Sequence, residues 1–298
     1  MRNLIGFNLV LFIFTSQALK AETEEIELRY RINPNTDFIS ESTNESVNSL
    51  QVLEDRGIIA NSKGKLTMEP KIQHLVTKNK IRINTGSVQA DQTYPLELSF
   101  LEKETYRKDQ SGKDTLVQQP IDVKGMHVSA SINASGQILE ESVKISGMKE
   151  LPPELAQLVQ KIASSTMSQI TSVETLKISL GKSTPQEISL KVPIGSIVVI
   201  DVKMHIDNKL LAIDNGIARI SQTYSMDFIV PNGPFKATTV GDGSGMMLYD
   251  TKAQIFQHSE TDTRMSIIFE TAKEGKIEIK TNSKQIQSTY PFIEDQPN

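Results

Sequence analysis

The chain of 298 residues contains no cysteine and no tryptophan. Without cysteine there is no disulfide, no zinc–thiolate centre, no thiol nucleophile and no lipid-modified cysteine. Aromatic residues make up only 5% of the chain, which weakens sugar stacking, single-stranded nucleic-acid platforms and the aromatic girdles of outer-membrane barrels. Charge of one sign is also scarce. The net charge is −4, unsuited to phosphate backbones or anionic lipid. The densest basic stretch, Lys71 to Arg82, alternates with apolar residues and reads as the wet face of a strand. Long apolar runs are missing beyond the N-terminus. The longest, Ile197 to Ile200, is four residues and is followed by Asp201, whereas a membrane helix needs about 20. The expectation is no integral membrane span in the mature chain and no nucleic-acid partner.

What is present begins with an address. Met1-Arg2-Asn3 precedes an apolar run from Leu4 to Phe14, and small residues follow at Ser16, Ala18 and Ala21. A short charged start, an apolar core and small-x-small spacing are the parts of a secretory signal peptide. The expected cleaved segment is 1–18, alternatively 1–21. An exported, cysteine-free chain of this size points to a bacterial periplasmic or secreted protein, since exported eukaryotic proteins usually carry disulfides.

Period-two alternation dominates the rest. Apolar sets at every second position occur at Ile26, Leu28, Tyr30 and Ile32; at Ile81 and Ile83; at Leu96, Leu98 and Phe100; and at Val128, Ala130 and Ile132. They recur at Ile188, Leu190 and Val192, then at Val198, Ile200, Val202, Met204 and Ile206. Ala218, Ile220, Tyr224, Met226, Phe228 and Val230 continue the series, as do Met265, Ile267 and Phe269, and Ile277 and Ile279. One apolar and one polar face is the pattern of antiparallel sheet. The expected class is mainly β, with long, curled antiparallel sheet. Turns are expected at Asn35-Thr36-Asp37, Ser111-Gly112-Lys113, Ala134-Ser135-Gly136, Asp207-Asn208, Asp214-Asn215-Gly216 and Lys273-Glu274-Gly275.

One segment changes period. Pro152-Pro153-Glu154 opens a stretch with Leu155, Leu158, Val159, Ile162, Thr166 and Ile170 at helical spacing. It predicts one helix, covering a core or linking two units; a lid over a cavity is the alternative. Two short matches, 104–106 with 222–224 and 133–139 with 250–256, suggest two related β units. The expected organisation is therefore a first unit at 24–148, a connecting helix at 149–175, a second unit at 176–288 and a tail at 289–298.

A search for chemistry finds little. His74, His127, His205 and His258 are far apart in sequence and three of them neighbour apolar positions on the wet faces of expected strands, so no metal site is expected. Residues 240–245, Val-Gly-Asp-Gly-Ser-Gly, lack the lysine and following helix of a phosphate loop and the carboxylates of a calcium loop; they read as a hairpin or bulge. Asp214-Asn215-Gly216 and Asp242-Gly243 do not match an aspartic-protease pair, and adjacent acids such as Glu140-Glu141 would point to opposite faces of a strand. No catalytic residue and no cofactor is expected.

Leu28 to Ile32, Gly125-Met126-His127-Val128, Asn133 to Ile138, Pro193-Ile194-Gly195 and Gly243-Ser244-Gly245 before Tyr249-Asp250 form a layout. It resembles a family of uncharacterised exported bacterial β proteins with no assigned activity. In architecture alone it is remotely similar to the half-barrels of periplasmic lipoprotein carriers. That likeness implies an acyl chain in an apolar concavity, although fold does not fix function.

The reading that follows is a non-enzymatic exported binding or interaction protein, holding a lipid or other apolar small molecule on a concave sheet face. The expected lining is Val198, Ile200, Val202, Met204, Tyr224, Met226 and Phe228, the methionines supplying adaptable surface. Two alternatives stand beside it: a structural component of the cell envelope whose partner is an envelope protein, and a hydrolase assembled from distant residues.

Overall fold

The computed structural model describes residues 24–29, 32–61, 68–109, 111–117, 124–147, 175–194, 198–229, 235–271 and 275–293, with backbone alone at 58, 60, 190–194, 198–201, 228–229, 235–237 and 271. The strands are β1 (Glu25–Leu28), β2 (Asp37–Asp55), β3 (Lys71–Thr85), β4 (Tyr94–Lys108), β5 (Asp114–Leu116), β6 (His127–Ile132), β7 (Lys144–Ser146) and β8 (Leu176–Ser179). They continue as β9 (Ser183–Ile194), β10 (Val198–Asp214), β11 (Ile217–Ile229), β12 (Phe235–Asp250), β13 (Ile255–Thr271) and β14 (Gly275–Pro291). The helical elements among the described residues are the single turns Ile58–Asn61 and Glu140–Ser142. No helix among them is long and apolar enough to cross a membrane.

One antiparallel sheet of 12 strands runs in the order β7-β6-β4-β3-β2-β14-β13-β12-β11-β10-β9, with β5 beside β4; β1 and β8 form a separate ribbon. The sheet is not closed: among the described residues its outer strands do not pair with each other. At about 3.4 Å per residue, a 17-residue strand such as β13 runs for nearly 60 Å. Bulges at Leu210/Ala212, Leu248/Tyr249, Lys80/Ile81 and Lys276/Ile277 bend so long a ladder.

Register decides which residues share a face. Directly paired residues stand on the same side of a sheet, so one set can be followed from strand to strand. Val202 pairs with Phe228 and Leu190, Met204 with Met226 and Ile188. Met226 pairs with Gly241, Gly241 with Met265, Met265 with Thr281 and Thr281 with Asn48. The same set reaches Ile81, Ile83, Phe100, Leu98, Leu96 and Val128 across β3, β4 and β6. Every apolar alternation expected in the main sheet therefore falls in one set, called inner here. Val202, Ile206 and Asn208 of the inner set are buried while Lys203, His205 and Asp207 between them are exposed.

Two clusters of buried side chains lie on this inner set. In the first, Ile26 and Leu28 of β1 and Ile178 of β8 pack onto Leu210, Ala218, Ile220, Met247 and Tyr249. In the second, Tyr94, Leu96, Val128, Ala130 and Ile132 are covered by Met126, Ile138 and Val143. Both sit at the end of the sheet where the β10–β11 and β12–β13 turns lie. Each fully buried aliphatic side chain contributes about 1.5–3 kcal/mol.

The structure corrects several expectations. Strands from both expected units belong to one sheet, because β2 pairs with β14 along nearly its whole length; a division into two related units is not supported. Of the two sequence matches, Thr105 is inner in the first while its counterpart Thr223 is outer, and a one-residue offset of this kind inverts every side chain. The second match is shared turn chemistry. Asn133 Oδ1 accepts from the Ser135 and Gln137 amides, and Asp250 Oδ1 from those of Lys252 and Ala253. Asp207-Asn208 is no turn but the middle of β10, and residues 240–245 run straight through β12. β14 extends to Pro291, beyond the boundary expected at 288. The helix expected from Pro152 to Ile170 lies outside the described residues.

The ion pairs of the main sheet join outer-set residues: Lys80–Glu41 at 2.9 Å, Arg82–Asp37 at 2.6 Å, Lys108–Glu45 at 3.0 Å, and Lys284–Glu260. The Tyr290 hydroxyl and then Lys80 hold Glu41 below its ordinary 4.5; Lys108 and then His74 do the same for Glu45, and Lys284 for Glu260. Arg82 lowers Asp37 from 3.8. Depressed carboxylates add stability that is complete above their ordinary values and is lost as pH falls through the lower folded ones. The melting temperature is thus expected to hold down to about pH 4.5 and then fall, less steeply in high salt. A flat profile down to pH 2 would show that these exposed pairs contribute nothing.

Candidate functional site

The residues expected to line a ligand surface fall on two neighbouring strands in one register. Val202 lies opposite Phe228 and Met204 opposite Met226, while Tyr224 faces Ile206. Val198 and Ile200 continue the row along β10. Val202 is 4% and Met226 9% exposed; Met204 and Tyr224 are half-buried. For Val198, Ile200 and Phe228 the backbone alone is described.

Sequence reasoning missed the far larger surface to which this row belongs. The inner set of β2 from Phe38 to Val52 reads Phe-Ser-Ser-Asn-Ser-Asn-Leu-Val, and that of β14 from Ile277 to Gln287 reads Ile-Ile-Thr-Ser-Gln-Gln. On β13 it reads Ser259, Thr261, Thr263, Met265, Ile267, Phe269; on β12 Thr239, Gly241, Gly243, Gly245, Met247, Tyr249. With the sets of β11, β10 and β9, this gives a belt of uncharged polar residues across the middle of seven strands. An apolar band flanks it on each side. At one end lie the two packed clusters; at the other, Val52 and Ile267 are buried beside Leu50, Ile277 and Ile279. Among the described residues, charge in the inner set is confined to Lys71, Lys103 and Arg107 on β3 and β4 and to Asp55 at the last position of β2.

The belt bonds to itself. Gln222 Nε2 donates to Asn208 Oδ1 at 2.7 Å, and Thr281 Oγ1 to Asn48 Oδ1 at 2.9 Å. Gln287 Nε2 donates to Ser40 Oγ at 3.1 Å, and on the neighbouring β3 and β4 the Thr77 and Thr105 hydroxyls meet at 3.1 Å. Asn208 is fully buried. Buried polar groups are costly unless paired, so a self-bonded belt can lose contact with water cheaply.

Tyr224 holds the middle together, and glycine makes room for it. Its hydroxyl reaches over β12 to Thr263 Oγ1 at 2.5 Å and the Asp262 carbonyl at 3.2 Å. A Cβ on Gly243 would stand 2.3 Å from the Tyr224 ring. The glycine-rich run is therefore a strand whose missing side chains admit a ring from the next strand, rather than a hairpin.

No catalytic constellation emerges among the described residues. His205 lies between Glu187 at 3.4 Å and Asp227 at 3.2 Å, but all three are exposed on the outer face. Glu187 and His205 border an open depression of about 570 Å³ over residues 185–187, 205–207 and 223–225. His74 meets Glu45, His127 meets Ser99 and His258 meets Ser288, each as a cross-strand polar contact. No group of three metal-ligating side chains occurs among the described residues.

No family model matches the chain, and no curated protein does. Among solved structures it is similar to one described as lipid–protein interactions in lipovitellin, at 10% identity and a TM-score of 0.41, covering 89% of this chain. It spans 26%, about a quarter, of that protein's length. It is also similar to Pseudomonas aeruginosa OccK7 (OpdD), at 5% identity and a TM-score of 0.24, covering 87% of this chain and 100% of that one. Vibrio cholerae OmpT with loop L8 deleted follows at 6% identity and 0.17, covering 86% and 100%.

Proposed function

We propose that the protein is an exported, non-enzymatic binding protein that holds a lipid or other apolar small molecule against the inner face of its sheet. The observation that carries this reading is the division of the sheet's two sides. The outer side holds the ion pairs and nearly all the charges; among the described residues the inner side, over seven strands, is apolar or uncharged except for Asp55 at the last position of β2. An ordinary two-layer core would need only a central apolar stripe. A face uncharged over nearly the whole strand length suits an elongated, largely apolar occupant, because apolar pockets with few polar groups are the usual small-molecule sites.

The alternative, an envelope component that adds strands at its edges, has less support. β9 carries Pro185 and Pro193. Proline cannot donate into a ladder, so both occupy donor positions turned away from β10 and blunt that edge.

Titration of the purified protein with a fluorescent fatty acid tests the binding reading. Saturable uptake is expected, displaced by unlabelled acyl chains and weakened at least about tenfold by Met226→Asp. A folded protein that takes up no probe overturns the reading.

A further inference from the structure

The inner face specifies the kind of head group as well as an apolar tail. Resting on the binding reading above, we infer that the occupant is a neutral amphiphile: acyl chains along the apolar band and an uncharged ester or hydroxyl head group at the polar belt.

Ser46, Ser283 and Thr263 stand in one row across β2, β14 and β13; Asn48, Thr281 and Met265 form the next; Asn44, Gln285 and Thr261 lie on the other side. These rows offer hydroxyls and amides and no charge. Toward Val52, the rows become Leu50, Ile279 and Ile267, then Val52, Ile277 and Phe269. The change from hydroxyl to hydrocarbon is thus laid out along the strands, in the order in which a glycerol ester and its acyl tails would present themselves. An anionic phosphate brought to the belt on β14 and β13 would lose water and meet no inner-set cation on β14 to β9, which is unfavourable. The inner-set cations lie beyond β2, on β3 and β4: Lys71 opposite Leu50, Arg107 in the row of Ser46 and Lys103 in that of Ser42. Outer-face lysines such as Lys280 and Lys284 point the other way and already pair with Glu278 and Glu260.

The hydrogen bonds within the belt add a second, independent point. Several of its amides and hydroxyls are matched to each other across strands, so they need no ionic partner and keep hydroxyl lone pairs for an alcohol O–H.

The test uses the full chain and two probes with identical acyl chains, a fluorescently labelled diacylglycerol and the corresponding phosphatidate, at pH 8. Diacylglycerol is expected to bind at least about tenfold more tightly. Equal binding, or tighter binding of phosphatidate, overturns the neutral-head-group inference and leaves the lipid reading standing. Failure of both probes overturns the lipid reading itself. Neighbouring substitutions on opposite faces sharpen the result. Ser283→Lys places a cation in the belt and is expected to erase or reverse the preference. Asn282→Lys, on the exposed outer face, is expected to leave it unchanged. A Ser283→Lys protein that melts normally and keeps the full preference would overturn the assignment of the head group to the belt.

Discussion

Replacing Tyr249 with alanine is expected to cost about 4 kcal/mol of stability, the range found for removing a large ring from a packed core. Tyr249 has no exposed surface and is among the largest fully buried side chains. It pairs with Ala218 across β11 and β12, and its ring lies 5.1 Å from that of Phe256. It also supports the β1–β8 ribbon through Leu28, Ile26 and Ile178. Urea melts monitored by circular dichroism would measure the loss. A limited proteolysis series should show the segment around β1 released first, since the ribbon's remaining attachment is small. Tyr249→Phe separates ring from hydroxyl. The Arg29 amide donates to the hydroxyl at 3.4 Å, a long bond, so this variant is expected to lose less than about 1 kcal/mol. A loss from Tyr249→Ala no larger than that from Tyr249→Phe would mean the ring is not the keystone of the cluster.

Gly275→Ala is the second substitution with a large expected effect, about 3 kcal/mol or more. Gly275 opens β14 at a φ of +114°, where side-chain-bearing residues are strained. An added Cβ would meet the Glu54 carbonyl oxygen at 1.9 Å, and relieving that overlap requires the backbone of β2 or β14 to move. The site matters because β14 and β2 join strands from the two ends of the chain. Gly112→Ala is the matched control: its φ is +81°, yet nothing lies within 4 Å of an added Cβ. It should cost only the conformational strain, about 1 kcal/mol. Equal losses at the two positions would attribute the whole effect to φ and none to the close approach.

Much of the sheet was legible in the sequence, and the reason is physical. Where one side of a strand is apolar and the other charged, as in Val202-Lys203-Met204-His205-Ile206, period two is written in the residue types themselves. β2 was not legible. From Glu41 to Ser49 both sides of the strand are largely polar, Ser and Asn on the inner side and Glu and Thr on the outer. Alternation of hydrophobicity is silent in such a segment, although it is the longest strand described. The absence of glycine and proline from Asp37 to Arg56 was the available signal. The glycine-rich run misled for a related reason. Glycine is read as a turn residue, but Gly243 is a place kept empty for the Tyr224 ring, and that ring lies 19 positions earlier in the chain. The candidate lining row was legible as two adjacent amphipathic segments; the charge-free belt was not, because its members lie on strands up to about 240 residues apart.

The sequence alone determined the secondary-structure type, since backbone pleating forces residues two apart into a common environment and the residue types reveal it. It also determined the absence of thiol chemistry, which is a matter of composition. The tertiary structure alone decided that strands from both ends of the chain share one open sheet, with all their uncharged sets on one side. Register between strands is fixed by pairing over long separations and by bulges, and a shift of one residue would have turned any of these rows to the opposite face.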